Sequence, residues 1–421
     1  MILSLILFFA ISFFLFKCFE QTFIVVMVLS AWLNHFSLWG ADVFTLGSIL
    51  TITLFIFKRY QRNDIKKFPF KYGFALYIIS IIVSGLLIGD PKPISIITNI
   101  LRDVVNVFIF WSIINERPAK SVKTFYYTAI IFGITVALYT VYELITSSNP
   151  YLKFMNNIGA YKEDTLITSI RYGVKQCQSI FLMHTTLGGV TVMTFIPLIF
   201  ISLKKQFKFI KKEIAFLFIP LLLFICFVTG ARSVILGCII GLLMFLDLRK
   251  FTIQNLGLFS ISIVIIFFVV NTETFNLVVQ SFLNSDSISG SNVDMRKSQF
   301  DIGYKYLNKS FLFGNGLFAW TEITKHTDLN GAESMWLPLM IDRGVFGVLS
   351  VLVLILNMIM YTIKRGELKI LFFIFGYIVL NSMSSVPYVN FNYLFIYIFI
   401  MIYHRNPKYL SSIIKHYKPS K

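Results

Sequence analysis

Read as a string of apolar and polar positions, the chain is a series of long apolar runs separated by mostly short polar connections. A run of about 20 apolar residues is long enough to carry a helix through the hydrocarbon core of a bilayer. Such runs recur at 2–16, 21–38, 41–57, 72–89, 94–114, 124–143, 186–203, 214–229, 232–248, 254–271, 335–362, 369–387 and 389–403. The first follows Met1 directly, with neither a basic leader nor a small-residue cleavage site, so it is read as a helix rather than a signal peptide. The expectation is an all-α, polytopic integral membrane protein with about 12–13 transmembrane helices, residues 1–421 forming a single membrane domain.

Two connections break the pattern, 146–185 and 272–334, each too long for a simple turn and neither of low complexity. Within the second, Asn292 to Leu307 opens with polar residues and sets Phe300, Tyr304 and Leu307 at helical spacing. This predicts an amphipathic helix lying on the membrane surface. No inverted or tandem repeat stands out, which speaks against the common transporter architectures.

Composition supports the membrane reading: 57% of residues are hydrophobic and only 14% charged, where a soluble domain carries about 25% charged residues. A soluble enzyme, a disordered protein and a secreted disulfide scaffold are excluded. The net charge of +18 would suggest nucleic acid in a soluble chain. Here its placement gives another meaning. Twenty-four of the 38 basic residues lie in alternate connections: Lys58 to Lys71, Arg117 to Lys123, Lys204 to Lys212, Arg249 and Lys250, Lys364 to Lys369, and the tail from Arg405. The positive-inside rule makes that side cytoplasmic, together with the C-terminus, and puts both long loops outside. No nucleic-acid partner is implied. The cysteines, Cys18, Cys177, Cys226 and Cys238, form neither a disulfide framework nor a metal-ligand spacing.

The informative charges are those left on the outer side or near it: Arg171, Lys175, Arg232, Arg296, Lys297, Lys305, Lys309, Lys325 and Arg343. An anionic ligand such as a lipid-linked phosphate or pyrophosphate would account for them, because a guanidinium fork holds phosphate oxygens bidentately. Solvated loop charge or snorkelling to headgroups would also do so. Arg232 sits in the hinge Thr229-Gly230-Ala231-Arg232-Ser233 between two apolar runs, where it serves either a ligand or the helix end. Gly314-Asn315-Gly316 reads as a turn. Glu333 stands where the second loop re-enters the membrane, and partial desolvation there suits a general base. A first-turn glutamate also complements the helix macrodipole. His184 and His326 lie in the outer loops without a second ligand at metal spacing, so no metal is expected. Arg102 and Asp103 fall inside an apolar run, pointing about 100° apart on an α-helix and so expected to pair with neighbours.

In order, four of these segments resemble the bacterial O-antigen polymerase and O-antigen ligase superfamily. They are Arg171-Tyr172-Gly173 through Ser179 to His184 and Leu187-Gly188-Gly189; Thr229 to Ser233 followed by Val234-Ile235-Leu236-Gly237; Arg296 leading to Phe313-Gly314-Asn315-Gly316; and Glu333-Ser334-Met335-Trp336-Leu337 followed by Asp342-Arg343-Gly344-Val345-Phe346-Gly347. The likeness covers roughly residues 170–350. It implies a GT-C-like helical glycosyltransferase of the bacterial inner membrane, active on the periplasmic face, without cofactor or metal. The implied donor is an undecaprenyl-pyrophosphate-linked oligosaccharide. Arg232 and Arg296 would hold its pyrophosphate, Arg171 would add a phosphate or sugar contact, and Lys175 and His184 join the substrate-binding set. Glu333 occupies the place where family ligases carry a histidine; it would take the proton from the acceptor hydroxyl, with His326 as the alternative base. The Glu333-Ser334 pair looks more like the polymerase branch. The implied activity is therefore surface-polysaccharide polymerisation in lipopolysaccharide biosynthesis, with a chain-length regulator and a flippase as partners. The alternatives are a ligase delivering polymer to the lipid A core and, from a different class, a transporter of lipid-linked oligosaccharide.

Overall fold

The computed structural model describes residues 2–34, 36–38, 41–57, 68–86, 93–116, 118–157, 170–171, 174–203, 212–245, 293–324, 334–383 and 394–405. Among these residues the chain is helical apart from two short ladders. The helices are α1 (Ile2–Lys17), α2 (Phe19–Val28), α3 (Ser30–Leu33), α4 (Val43–Phe57), α5 (Lys71–Leu86), α6 (Pro93–Glu116), α7 (Pro118–Thr146), α8 (Pro150–Asn157), α9 (His184–Val190 running on through Ile196–Leu203), α10 (Lys212–Val228), α11 (Arg232–Leu242), α12 (Val293–Leu307), α13 (Ala319–Thr324), α14 (Trp336–Lys364), α15 (Leu371–Met383) and α16 (Leu394–Arg405). The ladders are antiparallel pairs of two residues, Ser37–Leu38 with Ala41–Asp42 and Ile170–Arg171 with Val174–Lys175. The expected run at 254–271 and most of the basic connections lie outside the described residues.

Helices dominate because a backbone in lipid has no water to bond, and a helix satisfies its own N–H and C=O groups. Among the described residues three are long and apolar enough to cross a membrane: Pro93–Glu116, Lys123–Thr146 and Trp336–Lys364. Eight further apolar helices among the described residues are 10–17 residues long. The described residues are thus predominantly helical, with the apolar helices of a membrane protein. The expected 21–38 span bends at Leu29, between α2 and α3. Tertiary contacts hold that bend, since the Trp32 indole N–H donates to the Tyr151 hydroxyl of α8 at 2.8 Å and Trp32 meets Phe36 edge-on.

Between helices in lipid there is little hydrophobic drive, so close packing of small residues and aromatic interlock carry the association. A Cβ added at Gly73 of α5 would lie 2.9 Å from the Leu354 backbone of α14, and one at Gly237 of α11 would lie 3.1 Å from Leu380 of α15. Phe110 and Phe125 pack on Phe395 and Phe399 of α16, with centroids 4.9 and 4.5 Å apart.

The glycines Gly344 and Gly347 act within α14 itself. Gly344 breaks the helix at φ 64°, ψ −165°, its Cα face pressed on the Leu312 carbonyl, and Gly347 leaves room for the Arg343 side chain. On α12 the buried face is Gln299, Gly303 and Leu307, with Gly303 seated against Leu337. Phe300 and Tyr304 stay exposed, the placement that an amphipathic helix on a membrane surface gives its apolar side chains.

Four backbone hydrogen bonds bridge the break at Gly344. The carbonyls ending the first half, Ile341 and Asp342, accept from the N–H groups of Asn315 (2.7 Å) and Gly316 (3.1 Å). The N–H groups opening the second half, Val345 and Phe346, donate to Phe311 and Leu312 at 3.0 and 3.1 Å. Replacing Gly344 by Ala puts a Cβ about 2.4 Å from the Leu312 carbonyl at a positive φ. We expect a loss of about 2–3 kcal/mol, read as a lower unfolding temperature in detergent; an unchanged transition would show that the turn and kink are not locked together.

Candidate functional site

Of the candidate residues, Lys175, His184 and Arg232 lie at the end of the bundle where the 174–183 connection meets the 229–231 hinge. Two junctions bring the four segments together in pairs. In the first, the connection 174–183 docks on the hinge between α10 and α11. The Cys177 N–H donates to the Val228 carbonyl at 3.0 Å, and the Gln176 amide donates to the Thr229 carbonyl at 3.1 Å. Gly230 turns the chain at φ 64°, Ala231 caps α11 in extended conformation, and half-buried Arg232 is the first helical residue. Lys175 enters this connection and His184 leaves it as the first residue of α9. Gly188 rests directly on Val234, closing α9 against α11. The first two segments singled out in the sequence are therefore neighbours in space.

What holds the connection rigid is a residue that sequence reasoning missed. Glu143, near the end of α7, is 1% exposed, and one carboxylate oxygen accepts the N–H groups of Gln178 (3.1 Å) and Ser179 (2.7 Å). These charge-assisted bonds support Ser179 in a left-handed conformation, φ 54°. Asn149 adds a bond from its amide to the Ser179 carbonyl at 2.8 Å. The available signal was a lone carboxylate ending an apolar run, where an ionisable group needs a partner.

The second junction is the turn 311–320 on the α14 kink. The Asp342 carboxylate accepts the N–H groups of Trp320 (2.8 Å) and Phe318 (3.2 Å), while its carbonyl accepts the Ser84 hydroxyl of α5. Thus the third and fourth segments are neighbours as well. Helix α15 joins the two junctions: Gly237 packs on Leu380, the Met335 N–H donates to the Asn381 carbonyl at 2.8 Å, and the Trp336 indole donates to Ser382 at 2.7 Å.

Glu333 and His326 lie outside the described residues. For Arg171 and Arg296 the backbone is placed, in the second ladder and in α12. Among the described residues no three His, Cys, Asp or Glu side chains converge as metal ligands. Arg102 and Asp103 correct an expectation. They bond each other, Nε to Oδ1 at 2.9 Å, because α6 is wound as a π-turn over Leu101–Val105 and the long arginine side chain folds back alongside its neighbour.

No family model matches the chain, and no curated protein matches it.

Two outcomes follow from the docked connection. Burial pushes the Cys177 thiol up to about 12, with the Glu143 carboxylate adding to the shift and Lys175 opposing it. In a variant keeping only this cysteine, maleimide should leave the folded protein unlabelled at pH 8 and label it once denatured. An unfolded thiol ionises near pH 8.5, so Cys177 contributes stability that is intact below that pH and declines as pH rises toward about 12. Rapid labelling of folded protein would show that the connection opens. Glu143→Ala leaves two N–H groups without their acceptor, at about 1–3 kcal/mol each; limited proteolysis within 170–183 should accelerate. Glu143→Gln, which keeps an accepting oxygen, should lose less.

Proposed function

We propose that the protein is a membrane glycosyltransferase that polymerises a surface polysaccharide, joining repeat units carried on undecaprenyl pyrophosphate at the periplasmic face of the bacterial inner membrane. The observation that supports this best is the docking of the 174–183 connection on the 229–231 hinge. Two basic segments far apart in sequence form one edge of the bundle through it, with Arg232 at a helix start. A helix start carries partial positive charge, so Arg232 and the end of α11 act in the same sense on an anion.

On this reading the fold is GT-C-like. Arg232 and Arg296 hold the donor pyrophosphate, and Arg171, Lys175 and His184 contact phosphate or sugar. The acceptor hydroxyl attacks the anomeric carbon from the face opposite the pyrophosphate. Its C–O bond forms as the bond to the pyrophosphate oxygen breaks, inverting the centre. The guanidinium charge stabilises the departing pyrophosphate, and Glu333 takes the hydroxyl proton. A chain-length regulator and a flippase are the partners this chemistry calls for. A ligase would share the donor steps and differ only in acceptor.

A transporter of the same lipid-linked oligosaccharide is the second reading, favoured by the interruption of α14 at Gly344. Purified protein given a synthetic lipid-linked repeat unit separates the two: elongated product formed without any gradient identifies a polymerase, and its absence beside transbilayer movement identifies a transporter. Arg232→Ala and Arg296→Ala should each lower elongation at least about a hundredfold with insertion intact. Near-wild-type chain lengths would remove that residue from the donor site. Glu333→Gln should slow transfer while donor binding persists; an unchanged rate removes Glu333 as the base, with His326 next to test.

A further inference from the structure

Helix α14 carries a ruler for membrane depth. Its second half, 345–364, is 20 residues and so about 30 Å long, the thickness of a bilayer's hydrocarbon core. Along that half Leu349, Leu352, Leu356, Met360 and Ile363 are exposed, as side chains facing lipid are, and it ends on exposed Lys364 and Arg365. Before the break the surroundings change: Trp336 to Gly344 are all buried or half-buried, covered by the protein itself. Gly344 therefore lies near one edge of the hydrocarbon. The 311–313 segment docked on the break lies at the same depth.

At that level the protein's surface is apolar. Phe300 and Tyr304 of α12, and Phe311 and Leu312 beyond it, are each more than half exposed, and Phe313 is exposed as well. Phe300 and Tyr304 stand four residues apart on the flank of α12 beside its buried Gln299, Gly303 and Leu307. Further round the helix come Lys297, Lys305 and, just past its end, Lys309, with Asp301 as the exposed acid between them. An aromatic flank with lysines beside it suits a membrane interface, where long lysine stems reach back to headgroup phosphates. The same segment is tied to the break. The Phe311 and Leu312 carbonyls accept from Val345 and Phe346, and the Phe313 ring meets that of Phe346 at 6.1 Å.

We propose that α12 and the 311–313 tip form a docking surface for anionic phospholipid in the leaflet opposite the Lys364 end of α14. Phe300, Tyr304, Phe311 and Leu312 enter the acyl boundary, and Lys297, Lys305 and Lys309 hold the headgroup phosphates. A zwitterionic leaflet would offer the aromatic side chains the same depth, but nothing for the surplus of lysines over Asp301; anionic lipid supplies both. The surface does not depend on the glycosyltransferase reading.

Full-length protein carrying Cys18→Ser, which removes the exposed native thiol and leaves buried ones, is given Tyr304→Cys or Leu312→Cys and labelled with an environment-sensitive fluorophore. It is reconstituted in nanodiscs of phosphatidylcholine, alone or mixed equally with phosphatidylglycerol. Quenching is read with a lipid bearing a nitroxide high on its acyl chain and with aqueous iodide. Both probes should be quenched by the nitroxide lipid and shielded from iodide, more strongly where phosphatidylglycerol is present. Lys297→Gln, Lys305→Gln and Lys309→Gln combined should abolish that gain and leave the quenching in phosphatidylcholine. Quenching by iodide instead means a solvated face, and shielding from both quenchers means a protein covers it; either overturns the proposal. So does a phosphatidylglycerol response that is absent with the lysines in place, or undiminished without them.

Discussion

A helix that stops inside a membrane exposes carbonyls on one side of the break and N–H groups on the other, and no water is at hand to take them. The chain meets this constraint at Gly344 by bringing the 311–316 turn against the gap, so that four backbone bonds bridge the two halves. Much of the surrounding arrangement follows from that docking. The turn can reach the gap only because Gly314 and Gly344 adopt positive φ and leave no side chain between the two backbones. Asp342 then has two N–H groups of the same segment to hold, and Arg343 is left facing α5.

The hinge at Gly230 applies the same rule with different material. There the partner is the 174–183 connection: Glu143 and Asn149 satisfy its polar groups from neighbouring elements, and its own Gln176 bonds the Thr229 carbonyl of the hinge. The two junctions are tied through α15, whose last turn bonds Met335 and Trp336 while its middle packs on Gly237. Residues offered as ligands for an anionic glycan donor therefore belong to a supported edge of the bundle. A rigid frame of this sort is what positional catalysis requires, since misplacement by about 1 Å costs on the order of a hundredfold in rate.

The helical character and most element positions were legible from apolar run length alone, as in 335–362 against Trp336–Lys364. Pairing in space was less legible. The four segments of interest could be found by their polar residues, but nothing local says that the first docks on the second and the third on the fourth. Neighbours set roles that local sequence does not: the docked turn makes Gly344 a break and Gly347 an accommodation for Arg343. On α12, Leu337 takes the face of Gly303 and leaves Phe300 and Tyr304 exposed.

By itself, then, the sequence determined the solvent and the secondary structure, because run length and alternation of charge are local quantities set by the thickness and polarity of a bilayer. Only the tertiary structure decided which polar groups find each other. Glu143 is a clamp for a distant connection, Arg102 pairs with the residue beside it, and Arg343 lies against an aromatic ring. The physical reason is that a buried charge is governed by its nearest few ångströms, and those are assembled from segments as far apart as Tyr77, Asp103 and Arg343.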